Sequence, residues 1–334
     1  MSLQIAFFEI KDWQIEYIKA HLKNHSLKFI KAPLNKDNVS EASEANIISI
    51  FIYSKITDEI LSHLPNLKFI CTRSTGFDHI NLDACTERTI FVSNVPYYGE
   101  NTIAEHTIGL ILALSRNIHK SYLRTIRNDF SIKGLKGFDL KGKTLGVIGT
   151  GRIGLHVIRV AKAFGMTVLG YDIREDRFIA EVLGFNYVTL EELLAGSDII
   201  SLHVPYNTHT HHLINKNNIQ LIKKGAILIN TARGGVVDTE ALLEALDHGI
   251  LSGAGLDVLE GEELILEDQR MVYDPTNMET MTKLMKDHIL LSKDNVVFTP
   301  HIAFYSQEAL ERILDTTIEN ISSYSSGDKV NVIN

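Results

Sequence analysis

Three segments of this 334-residue chain end in side chains that could bind an anion or carry a proton. Arg233 follows an apolar run and precedes two glycines, where its planar fork can grip a carboxylate with two hydrogen bonds. His301 follows another apolar run and a proline, and a nearby carboxylate would let its imidazole hold a proton near neutral pH. A carboxylate-rich stretch, 260–263, follows a third apolar run. Because parallel strands end at one edge of a sheet, these segments are predicted to meet there and to protonate an anionic substrate.

A glycine pattern predicts a dinucleotide-binding turn in the same part of the chain. Gly149, Gly151 and Gly154 have the spacing G-x-G-x-x-G between an apolar run, 144–148, and a helix-like segment, 155–164. The first glycine of such a turn allows the tight bend, the second lets the backbone approach a pyrophosphate, and the third lets the helix pack close to the strand. The helix N-terminus adds amide donors and the positive end of its dipole. The order of these parts predicts a bound dinucleotide.

Asp172 selects between the two nicotinamide dinucleotides. It ends the next apolar run, 167–171, where a carboxylate can accept both hydroxyls of an adenosine ribose. A 2′-phosphate about 4 Å away would face a like charge, at a cost of roughly 4 kcal/mol. Since about 1.4 kcal/mol is tenfold in affinity, NAD is expected to bind better than NADP by a factor on the order of hundreds.

The elements that must position these residues alternate between strand and helix, which predicts an α/β fold. We expect two Rossmann-like domains, each with a doubly wound parallel sheet and helices on both faces, and a cleft between them. The substrate domain is expected to be discontinuous, and the NAD-binding domain to contain six strands, a bridging helix and an insertion. The predicted ranges are 1–100 plus 300–334 for the substrate domain, 101–299 for the NAD-binding domain, 101–128 for the bridging helix and 263–294 for the insertion.

Composition narrows the class of partner. The chain is 45% hydrophobic and carries a net charge of −8, and no lysine- or arginine-rich run stands out, which argues against nucleic acid or a membrane surface as the main partner. Cys71 and Cys85 lack metal-type spacing, and the N-terminus resembles a first strand rather than an export signal, so a cytoplasmic location is expected. His209, His211 and His212 are interpreted as exposed loop residues, and no metal site is predicted.

These motifs together resemble the D-isomer-specific 2-hydroxyacid dehydrogenases, and the resemblance covers the length of that family. In its members an arginine in a T-A-R-G segment binds the carboxylate and carbonyl of the substrate. A glutamate 29 positions later supports a catalytic histidine that follows a proline. The resemblance gives these roles to Arg233, Glu262 and His301, since 262 − 233 = 29.

The resemblance also implies binding residues for cofactor and substrate. Arg152 and Ile153 would offer amides to the pyrophosphate, Asp257 would meet the nicotinamide carboxamide, and Thr75 and Gly76 would hold the substrate carboxylate through backbone amides. The remaining implied cofactor residues are Val204 and Pro205 along the adenosine side, Thr210 at a further contact with the cofactor, and Thr231 and Ala232, with the adjoining Arg233, beside the nicotinamide.

The implied substrate is small. Tyr98 and Phe304 match aromatic residues that form the walls of the pocket in D-lactate dehydrogenases, so the resemblance implies reduction of pyruvate to D-lactate with NADH, by a homodimer. Two alternatives stay open. One is the same chemistry on hydroxypyruvate, glyoxylate or a larger keto acid, and the other is a non-catalytic NAD(H) sensor similar to some corepressors.

Overall fold

The computed structural model describes residues 2–260 and 278–334, with side chains from residue 285 onward in the second range. The chain divides into two compact units, Met1–Tyr98 with Ser306–Asn334, and Gly99–Tyr305. The boundaries expected from the sequence were 100 and 300. Glu262 and positions 263–277 of the expected insertion lie outside the described residues.

The regular elements are short strands alternating with helices. The strands are β1 Gln4–Phe7, β2 Ser26–Phe29, β3 Ile47–Ile50, β4 Phe69–Thr72, β5 Phe91–Ser93, β6 Thr144–Ile148, β7 Thr167–Tyr171, β8 Asn186–Tyr187, β9 Ile199–Leu202, β10 Ala226–Asn230, β11 Leu251–Leu256 and β12 Val296–Phe298. The α-helices are α1 Asp12–His21, α2 Asp58–Ser62, α3 Leu82–Glu87, α4 Glu100–Ser115, α5 Ile118–Thr125, α6 Arg152–Ala163, α7 Arg177–Leu183, α8 Leu190–Gly196, α9 Thr239–Asp247, α10 Met278–Leu291 and α11 Gln307–Ser326. Short 3-10 turns occupy Val39–Ala42, Ile219–Leu221 and Gly234–Val236.

The first unit is built on a five-stranded parallel sheet with the order β2-β1-β3-β4-β5. Every residue of β3 and of β4 is buried, as expected for strands that are covered on both faces. The C-terminal helix α11 covers one face, where Tyr324 stacks on Phe69 with 4.3 Å between ring centroids. On the same helix, Asn320 Nδ2 donates to the Asn94 carbonyl over 2.9 Å.

The second unit contains a seven-stranded parallel sheet with the order β12-β11-β10-β9-β6-β7-β8. The chain reverses direction across the sheet between β6 and β9, which is the switch point of a doubly wound dinucleotide fold. Alternate residues of one strand serve opposite cores: Ile199 packs into one and Ile200 into the other. Both sheets confirm the predicted α/β class. The sequence missed β8, because a two-residue edge strand leaves no recognisable apolar run.

The predicted single helix 101–128 is wrong, because the structure divides it into α4 and α5. The two helices are separated at Asn117, which has a left-handed backbone with φ +52°, a conformation that asparagine tolerates better than most residues. The chain that returns at Phe138 donates its backbone amide to the Ser115 carbonyl over 2.9 Å and so caps the end of α4. This long-range cap leaves no local signal in the sequence.

None of the helices in the described ranges combines the length and apolar character that crossing a membrane requires.

A buried arginine joins the carboxyl ends of three strands in the first unit. Arg73 follows β4 and is only 2% exposed. Its guanidinium donates to Ser49 Oγ over 2.9 Å and to the carbonyls of Phe8 and Glu9 over 2.5 and 3.1 Å. Burial lowers the pKa of Arg73 to about 10, so the side chain stays charged at neutral pH. The charge is stabilised by oxygens that β1 and β3 present.

Replacing this arginine should therefore destabilise the first unit more than replacing a surface arginine. We expect Arg73→Met to lower the free energy of unfolding by about 3 kcal/mol, because it leaves buried acceptors without a donor. The matched control is Arg88→Met, which removes an exposed ion pair with Asp58 and should cost less than about 1 kcal/mol. Urea unfolding of both variants measures the difference. Equal losses would show that Arg73 adds nothing beyond a surface contact.

Candidate active site

The carboxyl ends of six neighbouring strands lie in one row in the second unit. The strand register places in line the last residues of β7, β6, β9, β10, β11 and β12, which are Tyr171, Ile148, Leu202, Asn230, Leu256 and Phe298. The segments that leave this row carry most of the residues that the sequence singled out. In sheets of this kind ligands bind at this edge.

The glycine turn after β6 has the shape that a pyrophosphate requires. Gly149 has φ +94°, and a Cβ there would lie 2.7 Å from the His203 backbone. A Cβ on Gly154 would lie 2.1 Å from the Gly149 carbonyl oxygen, so α6 packs directly on the turn. Apart from Gly151 itself and its two neighbours in the chain, no described atom lies within 4 Å of a Cβ built on Gly151. The open space beside Gly151, at the N-terminus of α6, therefore fits a dinucleotide phosphate.

Asp172 is held in place beside this turn. Its Oδ2 accepts the backbone amide of Thr150 over 2.8 Å, and its Oδ1 accepts that of Arg174 over 2.9 Å. Each carboxylate oxygen can accept a further hydrogen bond. The side chain can thus stabilise the turn and still accept ribose hydroxyls, as the sequence predicts.

The segment after β10 fixes the backbone that presents Arg233. Asn230 bridges the segment, since its Oδ1 accepts from the Ala232 amide over 3.0 Å and its Nδ2 donates to the Arg233 carbonyl over 2.9 Å. The Thr231 hydroxyl lies 3.0 Å from that of Thr107 on α4. Arg233 itself is half-buried, and one of its terminal nitrogens donates to the Ala232 carbonyl over 2.8 Å.

Asp257 organises the loop that carries His301. The carboxylate is 1% exposed and accepts backbone amides on both oxygens, from Ile302 over 3.0 Å and from Ala303 over 2.8 Å. The Asp257 carbonyl accepts the His301 amide over 2.9 Å. The loop thereby keeps His301 at φ +52°, a left-handed conformation that costs about 1 kcal/mol for a residue other than glycine. A buried carboxylate thus determines where the predicted proton carrier lies.

A second histidine on the row, His203, is suited to a different task. It follows β9, and its Nε2 lies 2.8 Å from Ser201 Oγ. Burial lowers the pKa of His203 to about 3, so its ring is neutral at physiological pH. A ring that does not hold a proton at neutral pH cannot serve as a general acid. The Phe304 ring lies edge-on to His301, with 6.4 Å between centroids.

The segment after Pro205 behaves differently from the sequence-based interpretation. His209 and His211 are exposed, but His212 is half-buried, and its Nε2 lies 3.2 Å from Glu260 Oε1. The expectation of three exposed loop histidines is therefore wrong for His212, because a contact 48 positions away along the chain covers it. This contact holds the side chain of Glu260 in place.

The other residues predicted to bind the cofactor also come after the carboxyl ends of strands. Val204 and Pro205 directly follow β9 and His203. The Thr210 hydroxyl donates to the Pro205 carbonyl over 2.6 Å and so shapes this turn. Arg152 and Ile153 begin α6, whose first turn contains no acidic residue that would compete for its amides.

The predicted substrate residues of the first unit lie on the loop after β4 and beyond β5. Thr75 Oγ1 donates to the Val95 carbonyl over 2.7 Å, which turns the side chain back onto the unit. Within the described part of the chain, the backbone amides of Thr75 and Gly76 have no acceptor. Backbone amides without an acceptor can donate to a carboxylate, which accepts through both of its oxygens. Tyr98 is half-buried, and its carbonyl accepts from Arg312 Nε over 2.7 Å.

Two polar residues beside the row, His106 and Thr299, were not assigned to the site from the sequence. His106 on α4 approaches Thr299 Oγ1 to 2.9 Å, and Thr299 in turn donates to Asp257. His106 and Thr299 are 193 positions apart, so no local pattern could have paired them. The signal that was present is the position of Thr299, which lies two residues before His301.

Comparisons with known proteins agree with this geometry. The family described as "D-isomer specific 2-hydroxyacid dehydrogenase, NAD binding domain" matches residues 108–303. The chain is 35% identical to D-lactate dehydrogenase from Escherichia coli, over 98% of each chain. It is 40% identical to an aromatic 2-oxoacid reductase from Clostridium sporogenes, over 77% of this chain and 76% of the relative.

A solved structure is similar over the whole chain. The crystal structure of D-lactate dehydrogenase from Aquifex aeolicus, complexed with NAD and lactic acid, has a TM-score of 0.89 and 41% sequence identity, and the match covers 98% of each chain. The predicted resemblance is thus confirmed by family, relatives and fold together. The chain belongs to the D-isomer specific 2-hydroxyacid dehydrogenases, which are oxidoreductases, and its cofactor is NAD.

Proposed function

We propose that this protein is a D-lactate dehydrogenase that reduces pyruvate with NADH. The observation that carries the proposal is the row of strand ends, which brings Arg233 and His301 to the same edge of the sheet as the glycine turn. Relatives named D-lactate dehydrogenase match the chain over its length, one of them in complex with NAD and lactic acid.

The cofactor, when bound, supplies the hydride that adds to the keto carbon. The guanidinium of Arg233 holds the carboxylate and the carbonyl oxygen of the substrate, which polarises the carbonyl. The imidazolium of His301 donates its proton to that oxygen as the C–O double bond becomes single, and the ring is left neutral. The products are D-lactate and NAD, so atoms and charge balance.

The remaining site residues complete the proposal. Glu260 is engaged by His212 and by Thr239, so we assign the carboxylate that supports His301 to Glu262, as the resemblance implies. The amides of Thr75 and Gly76 would add to the grip on the substrate carboxylate. The wall of the substrate pocket is assigned to Tyr98 and Phe304.

The cofactor residues are assigned as the sequence predicts. Amides of the glycine turn and of the first residues of α6 would hold the pyrophosphate, and Asp172 the ribose. Asp257 would accept from the nicotinamide carboxamide through its Oδ2, which has accepting capacity beyond the Ala303 amide. The other assigned positions are Val204, Pro205, Thr210, Thr231 and Ala232.

A second candidate substrate is an aromatic 2-keto acid. The 40% identity to an aromatic 2-oxoacid reductase, over 77% of the chain, lies between the 35% and 41% found for two proteins that carry the lactate name. The two substrates require different room beside Tyr98 and Phe304, because an aryl group is several times larger than a methyl group.

The function is tested by the rate of NADH oxidation with a panel of 2-keto acids, namely pyruvate, hydroxypyruvate, glyoxylate, phenylpyruvate and 2-ketoisocaproate. We expect the highest kcat/KM with pyruvate, a D-configured product by chiral chromatography, and a preference for NADH over NADPH on the order of hundreds-fold. A preference for phenylpyruvate would show that the substrate is an aromatic keto acid, reduced by the same reaction. Tight NADH binding without turnover on any acid would favour the sensor alternative.

Arg233→Lys tests the proposed grip on the substrate. A lysine keeps the charge but loses the planar pair of donors, so kcat/KM for pyruvate should fall by about a hundredfold or more while NADH binding stays near the wild-type value. Steady-state kinetics and NADH fluorescence titration measure the two effects. Wild-type kinetics in this variant would remove Arg233 from the site.

His301→Ala tests the proton donor separately. The variant should bind NADH normally and lose at least about a hundredfold in kcat, since general acid catalysis contributes factors of this size. Turnover at the wild-type rate would refute the assignment of His301.

We also propose that the protein is a homodimer in the cytoplasm. Its two cysteines, Cys71 and Cys85, are both free and buried, as in reducing compartments. The proposed contact surface between copies is an apolar patch on α5 and the chain after it, in which each side chain is 48% to 85% exposed. The patch consists of Ile118, Tyr122, Leu123, Ile126, Phe130 and Ile132. Exposed apolar patches of this kind mark protein interfaces.

Light scattering after gel filtration tests the dimer. The wild type should elute with twice the mass of the chain, and Ile118→Lys combined with Ile126→Lys should give a monomer, because two charges would be buried in the interface. The control Val182→Lys alters an equally exposed apolar side chain outside the patch and should stay dimeric. A monomeric wild type at micromolar concentrations would contradict the proposal.

A further inference from the structure

We propose that His106 is a positioning residue of this enzyme, which fixes the loop that carries His301 by acting through Thr299 and Asp257. The inference rests on the proposed role of His301 as proton donor. It gives a role in the reaction to a helix residue that does not itself touch the reacting atoms.

The three side chains form a short chain of hydrogen bonds. His106 Nε2 lies 2.9 Å from Thr299 Oγ1 and 3.5 Å from Asp257 Oδ1. Thr299 Oγ1 donates to the same Asp257 oxygen. The Asp257 side chain is 1% exposed and that of His106 is 23% exposed, so this series of hydrogen bonds runs from a half-buried ring to a buried carboxylate.

The direction of these hydrogen bonds determines which ring nitrogen of His106 carries the proton. Both Asp257 oxygens accept backbone amides, so the carboxylate serves as an acceptor throughout. A threonine hydroxyl has one proton to donate, and Thr299 gives it to Asp257. Its oxygen must therefore accept from His106, whose proton lies on Nε2. An apolar side chain at position 106 would leave that oxygen without this donor.

The loop that depends on this network contains the reacting histidine. Asp257 accepts the amides of Ile302 and Ala303, which directly follow His301, and its carbonyl accepts the amide of His301. The left-handed backbone of His301 is sustained by these bonds. A donor that orients Thr299 orients Asp257, and a fixed Asp257 keeps the imidazole in one place. Proton transfer is sensitive to displacements of this kind.

The test is a double-mutant cycle measured with pyruvate and NADH. His106→Leu and Thr299→Val each remove one link, and the double variant removes both. His106→Gln is the rescue variant, since its amide can donate from nearly the same position. His25→Leu is the control, because this half-buried ring in the first unit also makes a hydrogen bond, from the Leu3 amide. The kcat, the KM for pyruvate and the Kd for NADH are measured for each protein, with the melting temperature as a check on folding.

We expect His106→Leu and Thr299→Val each to lower kcat about tenfold, with KM and the Kd for NADH within about twofold of wild type. The double variant should lose no more kcat than the slower single variant, because both substitutions act through the same series of hydrogen bonds. His106→Gln should recover kcat to within about threefold of wild type. His25→Leu should leave kcat unchanged.

Multiplied losses of about a hundredfold in the double variant would overturn the inference, and so would a His106→Gln variant as slow as His106→Leu. If His106→Leu does not fold, two variants of Thr299 decide: Thr299→Ser keeps the hydroxyl and should retain kcat, whereas the isosteric Thr299→Val lacks it and should lose kcat. A wild type without activity on any keto acid would refute the proposed function and this inference together, whereas an active wild type with unaffected variants would refute the inference alone.

Discussion

The buried carboxylate of Asp257 is the interaction on which the arrangement at the sheet edge depends. Burying a carboxylate is costly unless hydrogen bonds compensate it, and this one collects two backbone amides and a hydroxyl. Because those donors all belong to one loop, the carboxylate gains its hydrogen bonds only when that loop folds. The strained backbone of His301 persists for that reason. The stability of this loop and the position of His301 thus have a common origin.

Each sheet has one buried charged side chain near its carboxyl edge, and the sign of the charge differs between the two sheets. In the first unit the buried Arg73 guanidinium donates to carbonyl oxygens at strand ends. In the second unit the buried Asp257 carboxylate accepts backbone amides from a loop. Both groups lie at the carboxyl edge, where the backbone leaves the sheet and its polar groups need partners. The loop after β4, which Arg73 begins, leads into the open amides of Thr75 and Gly76. In each unit a single buried charge thus orders the backbone at the carboxyl edge of the sheet.

How much could be read from the sequence depended on whether the signal was local. The strands that precede the glycine turn, Arg233 and His301 were predictable, because each is an apolar run in the sequence. The break at Asn117 and the edge strand β8 were not, since a distant cap produces the first and only two residues form the second. His106 and Thr299 required the fold to bring them together. Contacts set by tertiary structure are the part of the site that a sequence pattern does not contain.

The strand order has a consequence for how this enzyme could be altered. Asp172 follows β7, whereas Asp257 follows β11, and β6, β9 and β10 lie between these two strands. At about 4.8 Å between neighbouring strands, the two positions are separated by roughly 19 Å. Changes more than about 10 Å apart usually combine independently. Substitutions of Asp172 and substitutions in the loop that Asp257 organises are therefore expected to combine independently, and variants optimised at each position in isolation can be merged in one chain.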